Sequence, residues 1–233
     1  MFPIGDENHG VRGIPVITWA LIAANVLVFV FQSTLPLEQL GEFILTYGVI
    51  PAEIERGQDL YTLFTSMFVH GGFAHLLGNM LFLWIFGDNI EQRFGSALFL
   101  VFYLGCGLAG SGAQIATDSG STIPSVGASG AISGVMGAYV LLYPFNKVRV
   151  LVWYWGILHV PAILFLGIWF LTQFIYGVMA ISVQTAQSAG VAFWAHIGGF
   201  VAGLAAGVVL GALRREPPRQ HAEFALWRDQ DRG

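Results

Sequence analysis

The sequence predicts an all-α membrane protein of six transmembrane helices, with a first loop that lies as helix in the membrane interface. Hydrophobic residues fill 55% of the 233 positions, charged residues 10%, and the mean hydropathy is +0.68. A water-soluble fold of that composition would lack the polar surface to cover its core. Runs of about 20 apolar residues, enough to cross roughly 30 Å of hydrocarbon, alternate with short polar loops. Lysine and arginine gather in the loops on one side of that pattern, which gives the chain a single orientation.

The opening "MFPIGDENHGVRG" is polar and mixed in charge, and residues 1–14 are read as a cytoplasmic N-terminal segment. The apolar run after it is too long for the core of a cleavable signal, so the first span, from Pro15 to Gln32, is expected to be retained. Residues 33–71 follow as a long outward loop in which Glu38, Glu42, Glu53, Glu55 and Asp59 are interleaved with Leu40, Phe43, Ile44 and Leu63. Such a mixture suits the membrane interface. The second span is predicted from Gly72 to Asn89 and the third from Ser96 to Ala116. The fourth runs from Ser129 to Tyr143, where Pro144 ends it short of a full crossing. In residues 148–164, "VRVLVWYWGILHVPAIL", Trp153, Tyr154 and Trp155 suit a headgroup belt, which makes a second interfacial segment. The fifth span extends from Pro161 to Val183 and the sixth from Gly190 to Leu213, closing a membrane domain over residues 15–213. Residues 214–233 are polar and contain proline, and read as a flexible cytoplasmic tail.

With six spans, Arg12, Arg93, Lys147, Arg149 and the five tail arginines share one side and Arg56 alone takes the other, so both termini are predicted in the cytoplasm. Cys106 is the single cysteine and lies in an apolar run, which leaves no disulfide and no thiolate metal site.

Polar side chains inside spans are costly and therefore functional candidates. Here they are His75 and Asn79 in the second span, Gln114 in the third, Ser129 and Ser133 in the fourth, Gln173 in the fifth and His196 in the sixth. His75 and Asn79, four apart, share one helix face, as an interhelical clamp or as a pair of hydrogen-bond donors. Ser129 begins the fourth helix, where free backbone N–H groups and the helix dipole favour negative charge. By itself "GASG" is equally a serine cap followed by small-residue packing. His196 shifts that balance. It stands at the edge of a face lined by Gly199 and Gly203, while Gly130, Gly134 and Gly137 line a face beside Ser129. Pressing the two faces together would hold a serine against a histidine.

A serine hydroxyl becomes a nucleophile when an adjacent base takes its proton, and neutral histidine can do so and later protonate a leaving amine. The Ser129 backbone N–H, the Asn79 amide and the His75 ring could serve as oxyanion donors. No carboxylate within a span is placed to orient His196, so the pair would be a dyad. The chain has no H-E-x-x-H for a zinc hydrolase, no pair of intramembrane aspartates, and no phosphate-loop or dinucleotide pattern. Asp88, Glu91 and Arg93 at the end of the second span read as an interfacial charge cluster. A small transporter is disfavoured because the chain shows neither inverted halves nor a carboxylate relay.

The stretches "HGGFAHLLGNMLFLWIFGDNIEQRFG", "GASGAISG" and "AHIGGFVAG" lie in this order on the second, fourth and sixth spans. On those motifs the sequence resembles the rhomboid family of intramembrane serine proteases. The resemblance implies Ser129 as nucleophile, His196 as general base, and His75 and Asn79 in the oxyanion hole. It implies transmembrane proteins as substrates, cleaved in or near their membrane helices, in a prokaryotic plasma membrane, with no cofactor, metal or nucleic acid. Entry would lie between the second and fifth helices, with Phe82, Trp84, Trp169, Phe170 and Phe174 as gate candidates, and "QTAQSAG", residues 184–190, as a cap over the site. The alternative is a non-catalytic rhomboid-like protein that binds membrane helices for quality control. Two departures stand out. The first loop lacks the Trp-Arg pair of many members, and Ser133 stands where some carry an aromatic that stacks on the histidine, which leaves open what orients His196. His70 is expected to hydrogen-bond within its loop or to bring water to the site. Gln114 and Gln173 are expected as helix clamps or water-site residues, and His9, His159 and His221 as interfacial or solvated.

Overall fold

The computed structural model describes residues 2–7, 13–182 and 192–213. The predicted cap at 184–190, the tail at 214–233, Arg12, His9 and His221 lie outside the described residues. Five helices run longest: α1 (Val16–Thr34), α5 (Phe73–Phe94), α6 (Ser96–Thr117), α8 (Ala162–Ser182) and α9 (Phe193–Leu213). Between α1 and α5 come α2 (Leu37–Tyr47), α3 (Pro51–Glu55), α4 (Thr62–Thr65) and a 3₁₀ turn at Ser66–Phe68. The helix α7 (Ser129–Leu142) has 14 residues, about 21 Å of rise.

By length and hydropathy α1, α6, α8 and α9 can each cross a membrane, and the α4 turn with α5, bent by 93°, would count as a fifth. The chain is a multi-pass membrane protein, mostly helical.

Every residue of α7 from Gly130 to Tyr139 is buried, so protein rather than lipid surrounds it. Its closest neighbour is α9. A Cβ at Gly199 would stand 2.0 Å from the Gly130 carbonyl oxygen, and one at Gly203 would stand 1.9 Å from that of Gly134. From the other side, a Cβ at Gly137 would meet the Phe200 carbonyl oxygen at 2.2 Å, and one at Gly134 would strike the Cys106 side chain of α6. Backbone therefore lies on backbone over two turns, a contact that membrane helices make only through small residues.

To the mostly helical fold expected from the sequence the structure adds one small sheet. Strands β1 (Phe2–Gly5), β2 (Lys147–Val152) and β3 (Gly156–Pro161) form an antiparallel sheet in the order β1-β2-β3. "KVRVLV" alternates with a period of two: Val148 and Val150 are buried in the core while Lys147, Arg149 and Leu151 face out. Trp153, Tyr154 and Trp155 form the exposed tip of the β2–β3 hairpin.

Residues 88–93 do more than form a charge cluster. The Glu91 carboxylate is buried and accepts from the Ile17 N–H at 2.9 Å, the Thr18 N–H at 2.7 Å and the Thr18 hydroxyl at 2.8 Å, capping a helix whose own N-terminal Pro15 offers no side-chain cap. It also accepts from the Ser96 hydroxyl at 2.6 Å. Arg93 Nη2 donates to the Gly211 carbonyl near the end of α9 at 3.1 Å. Beside them the buried Asp6 carboxylate accepts from the Tyr139 hydroxyl and from Asn89 Nδ2, tying the N-terminal segment to the end of α7.

Candidate active site

The approach to α7 is held by backbone. Val49 and Ser125 exchange both hydrogen bonds of an antiparallel bridge, and the Gly127 N–H donates to the Ser66 carbonyl at 2.8 Å. Gly127 has φ +124°, open to glycine and strained for other residues, and a Cβ there would come within 2.8 Å of the His75 ring. This glycine lets the chain turn into α7 with His75 pressed against it. Ala128 occupies the cap position, and no side chain caps the helix.

Ser129 is instead paired across the α7–α9 contact. Its Oγ lies 2.8 Å from His196 Nε2, 67 residues away. The other ring nitrogen, Nδ1, is 2.7 Å from Gln173 Oε1 on α8. Trp169, one turn before Gln173, lies beside the imidazole with ring centroids 5.9 Å apart. The Ser133 hydroxyl donates back to the Ser129 carbonyl at 2.6 Å, a bond within α7 that leaves it no part in the pair.

His75 and Asn79 share one cavity of about 800 Å³ with Ser129 and His196. Asn79 Nδ2 lies 2.9 Å from His70 Nε2, while His70 Nδ1 lies 3.3 Å from the Phe68 carbonyl oxygen. With the His70 proton on Nδ1, donated to that carbonyl, Nε2 accepts from the Asn79 amide. One N–H of that amide is then engaged and the other is left over. The buried His70 is fixed through its backbone: Gln32 Nε2 donates to the His70 carbonyl at 3.0 Å, and the His70 N–H donates to Gln32 Oε1 at 3.1 Å. His70 and His75 meet edge to face at 5.2 Å.

Of the predicted gate residues, Phe82 and Trp169 line the cavity. Phe82 also stacks on Phe165 of α8 at 6.4 Å, and Phe170 stacks on Phe200 at 4.6 Å. Trp84 and Phe174 are exposed. His159 lies in β3 opposite Arg149. Among the described residues no group of three or more His, Cys, Asp or Glu could hold a metal ion. Sequence reasoning did not single out Gln32, which ends the first span, or connect Gln173 to His196. Their signal was a glutamine in an apolar run; the partner of each lies in another element.

Chemically the arrangement offers a hydroxyl in hydrogen-bond contact with a base, beside amide and imidazole donors, in a cavity between apolar helices. Residues 57–213 match the Rhomboid domain family. Over 200 residues the chain is 31% identical to the rhomboid protease GluP of Bacillus subtilis (strain 168), covering 86% of this chain and 36% of that protein. It is 32% identical over 137 residues to the putative rhomboid protease YdcA of the same organism, covering 59% of this chain and 67% of that protein. To RHOMBOID-like protein 5 of Arabidopsis thaliana it is 37% identical over 91 residues, or 39% of this chain and 29% of that protein. The chain thus spans about a third of the length of the first and last of these relatives.

Proposed function

Because the chain belongs to the rhomboid family, we propose that it is an intramembrane serine endopeptidase that hydrolyses peptide bonds in or near the transmembrane helices of other proteins. The observation that carries this is the 2.8 Å contact between Ser129 Oγ and His196 Nε2 at a cavity among apolar helices. Ser129 attacks the scissile carbonyl while His196 Nε2 takes the hydroxyl proton. The tetrahedral oxyanion is met by the Ser129 backbone N–H, the spare Asn79 amide N–H and the His75 ring. His196 then gives its proton to the leaving amine, and the acyl group stays on Ser129. Water, activated by the same histidine, attacks the ester and releases the new carboxyl end, returning the proton to Ser129.

The cavity is lined by Met67, Phe73, Phe82, Met136 and Trp169 beside its polar groups, which suits a substrate arriving from the bilayer. Entry is proposed between α5 and α8, with Phe82, Trp84, Trp169, Phe170 and Phe174 forming the gate. Residues 15–213 are proposed as one membrane domain of six crossings in a plasma membrane, with α2 to α4 in the outer interface and both termini in the cytoplasm. Support for this orientation comes from the clustering of Arg93, Lys147 and Arg149 with the β1–β2 pairing, at the end of the molecule opposite Arg56.

The test is gel-based cleavage of a panel of single-span proteins in liposomes by wild type, Ser129→Ala and His196→Ala. Cleavage lost in both variants is expected, with a fluorophosphonate labelling only wild type. Equal cleavage by Ser129→Ala would overturn the mechanism. Helix binding without cleavage by wild type would favour a non-catalytic rhomboid-like protein.

A further inference from the structure

A neutral imidazole carries one proton. The nitrogen facing Ser129 can accept the hydroxyl proton only when the ring proton sits on the other nitrogen. Nε2 faces Ser129, so Nδ1 must carry the N–H and needs an acceptor in an apolar surrounding. Gln173 Oε1 stands 2.7 Å away and supplies it. The contact is braced on both helices. Trp169 shares the Gln173 face of α8, and Phe200 shares the His196 face of α9; these two rings meet at 6.2 Å, while Phe170 stacks on Phe200.

From this geometry, which rests on Ser129 and His196 acting as nucleophile and base, we propose that Gln173 is a positioning residue whose side-chain carbonyl holds His196 in the Nδ1-protonated tautomer. It would do for this histidine what a carboxylate does in a serine–histidine–aspartate triad, without burying a charge among apolar helices. Trp169 and Gln173 approach the ring from α8, whereas the Ser133 hydroxyl on α7 bonds back to its own helix. The orientation of the base then depends on a neighbouring helix. Among the described residues, α8 has the smallest share of its span buried of the four apolar helices long enough to cross, 17%, so the histidine is held by the least buried of them.

The experiment compares Gln173→Met, which keeps length and removes the amide acceptor, with Gln173→Glu, which keeps an acceptor at the same reach, using the full chain in liposomes with a single-span substrate. Gln173→Met should lower kcat about 10- to 100-fold at unchanged KM, less than the roughly 10²- to 10⁴-fold that a general base itself contributes. Gln173→Glu should retain more of kcat than the methionine variant. Independently of either variant, ¹⁵N-histidine spectra of wild type should show His196 with a protonated Nδ1 and a bare Nε2. Wild-type kcat in Gln173→Met, equal losses in the two variants, or a protonated Nε2 in neutral wild-type His196 would each overturn the role. Ser129→Ala run alongside separates the two failures. If it cleaves like wild type the hydrolase itself falls, whereas an inactive Ser129→Ala beside a fully active Gln173→Met removes only the positioning role.

Discussion

Gly203 shows how little room surrounds the Ser129–His196 pair. A methyl group there would stand 1.9 Å from the Gly134 carbonyl oxygen, and backbone cannot yield as a side-chain tip can, so α7 and α9 must separate. Gly203→Ala is expected to cost about 1–3 kcal/mol, the range for overpacking a tight interior, and to reduce cleavage because the serine and histidine are on the two helices being parted. Gly105→Ala is its control, since nothing lies within 4 Å of a Cβ there. Thermal unfolding in detergent should show a lower midpoint for Gly203→Ala and an unchanged one for Gly105→Ala. A midpoint for Gly203→Ala equal to wild type would contradict the packing argument.

Helix ends in this molecule are satisfied by other helices, with Glu91 as the clearest case. Its carboxylate takes two N–H groups and a hydroxyl from the start of α1 and the Ser96 hydroxyl at the start of α6, so one side chain fixes three helices. Glu91→Ala would leave the Ile17 and Thr18 N–H groups without their acceptor where water is scarce. The expected cost is about 1–3 kcal/mol for an unsatisfied buried donor. In the same unfolding measurement Glu42→Ala, on an exposed face of α2, should stay near wild type. Equal midpoints for the two variants would mean that α1 does not need this cap.

The N-terminal segment is tied to the far end of α7 through Asp6, which makes the pH response a property of the assembled molecule. The Asp6 carboxyl is raised from its ordinary 3.8 to about 6, mainly by burial, with the Tyr139 hydrogen bond opposing the rise, the neighbouring Asp88 adding to it and Arg149 opposing it. The folded protein therefore holds this proton more tightly than the unfolded chain does. Its contribution to stability is fully present below about pH 4 and is lost as pH rises to about 6. Unfolding midpoints across that window should carry a downward slope with pH that is smaller in Asp6→Asn; identical slopes would show that Asp6 does not titrate there. Orientation is tested on the same scale. With Cys106 replaced by alanine, Tyr154→Cys should be spared by an impermeant maleimide in intact cells and react in inside-out membrane vesicles, whereas Gln58→Cys should react in intact cells. The reverse pattern would invert the proposed topology.

Much of this was legible along the chain because the bilayer is a demanding solvent. Apolar runs long enough to cross it, a glycine stripe repeating at helical spacing beside Ser129, and another beside His196 are local patterns. They marked the long helices, the short α7 and the faces that meet. The alternation in "KVRVLV" was equally local, but its partner β1 comes from more than 140 residues earlier, and a strand is defined only with its partner. The same holds for Gln32, Glu91 and Gln173. Each is an ordinary polar residue in one dimension, and the group that uses it, the His70 backbone, the start of α1 or the His196 ring, is supplied by a different element. The sequence by itself determined a multi-pass helical membrane protein and which polar side chains lie in its apolar runs, because hydrophobic length and residue type are read position by position. The tertiary structure decided what orients those groups, because a hydrogen bond between helices exists only once both are packed.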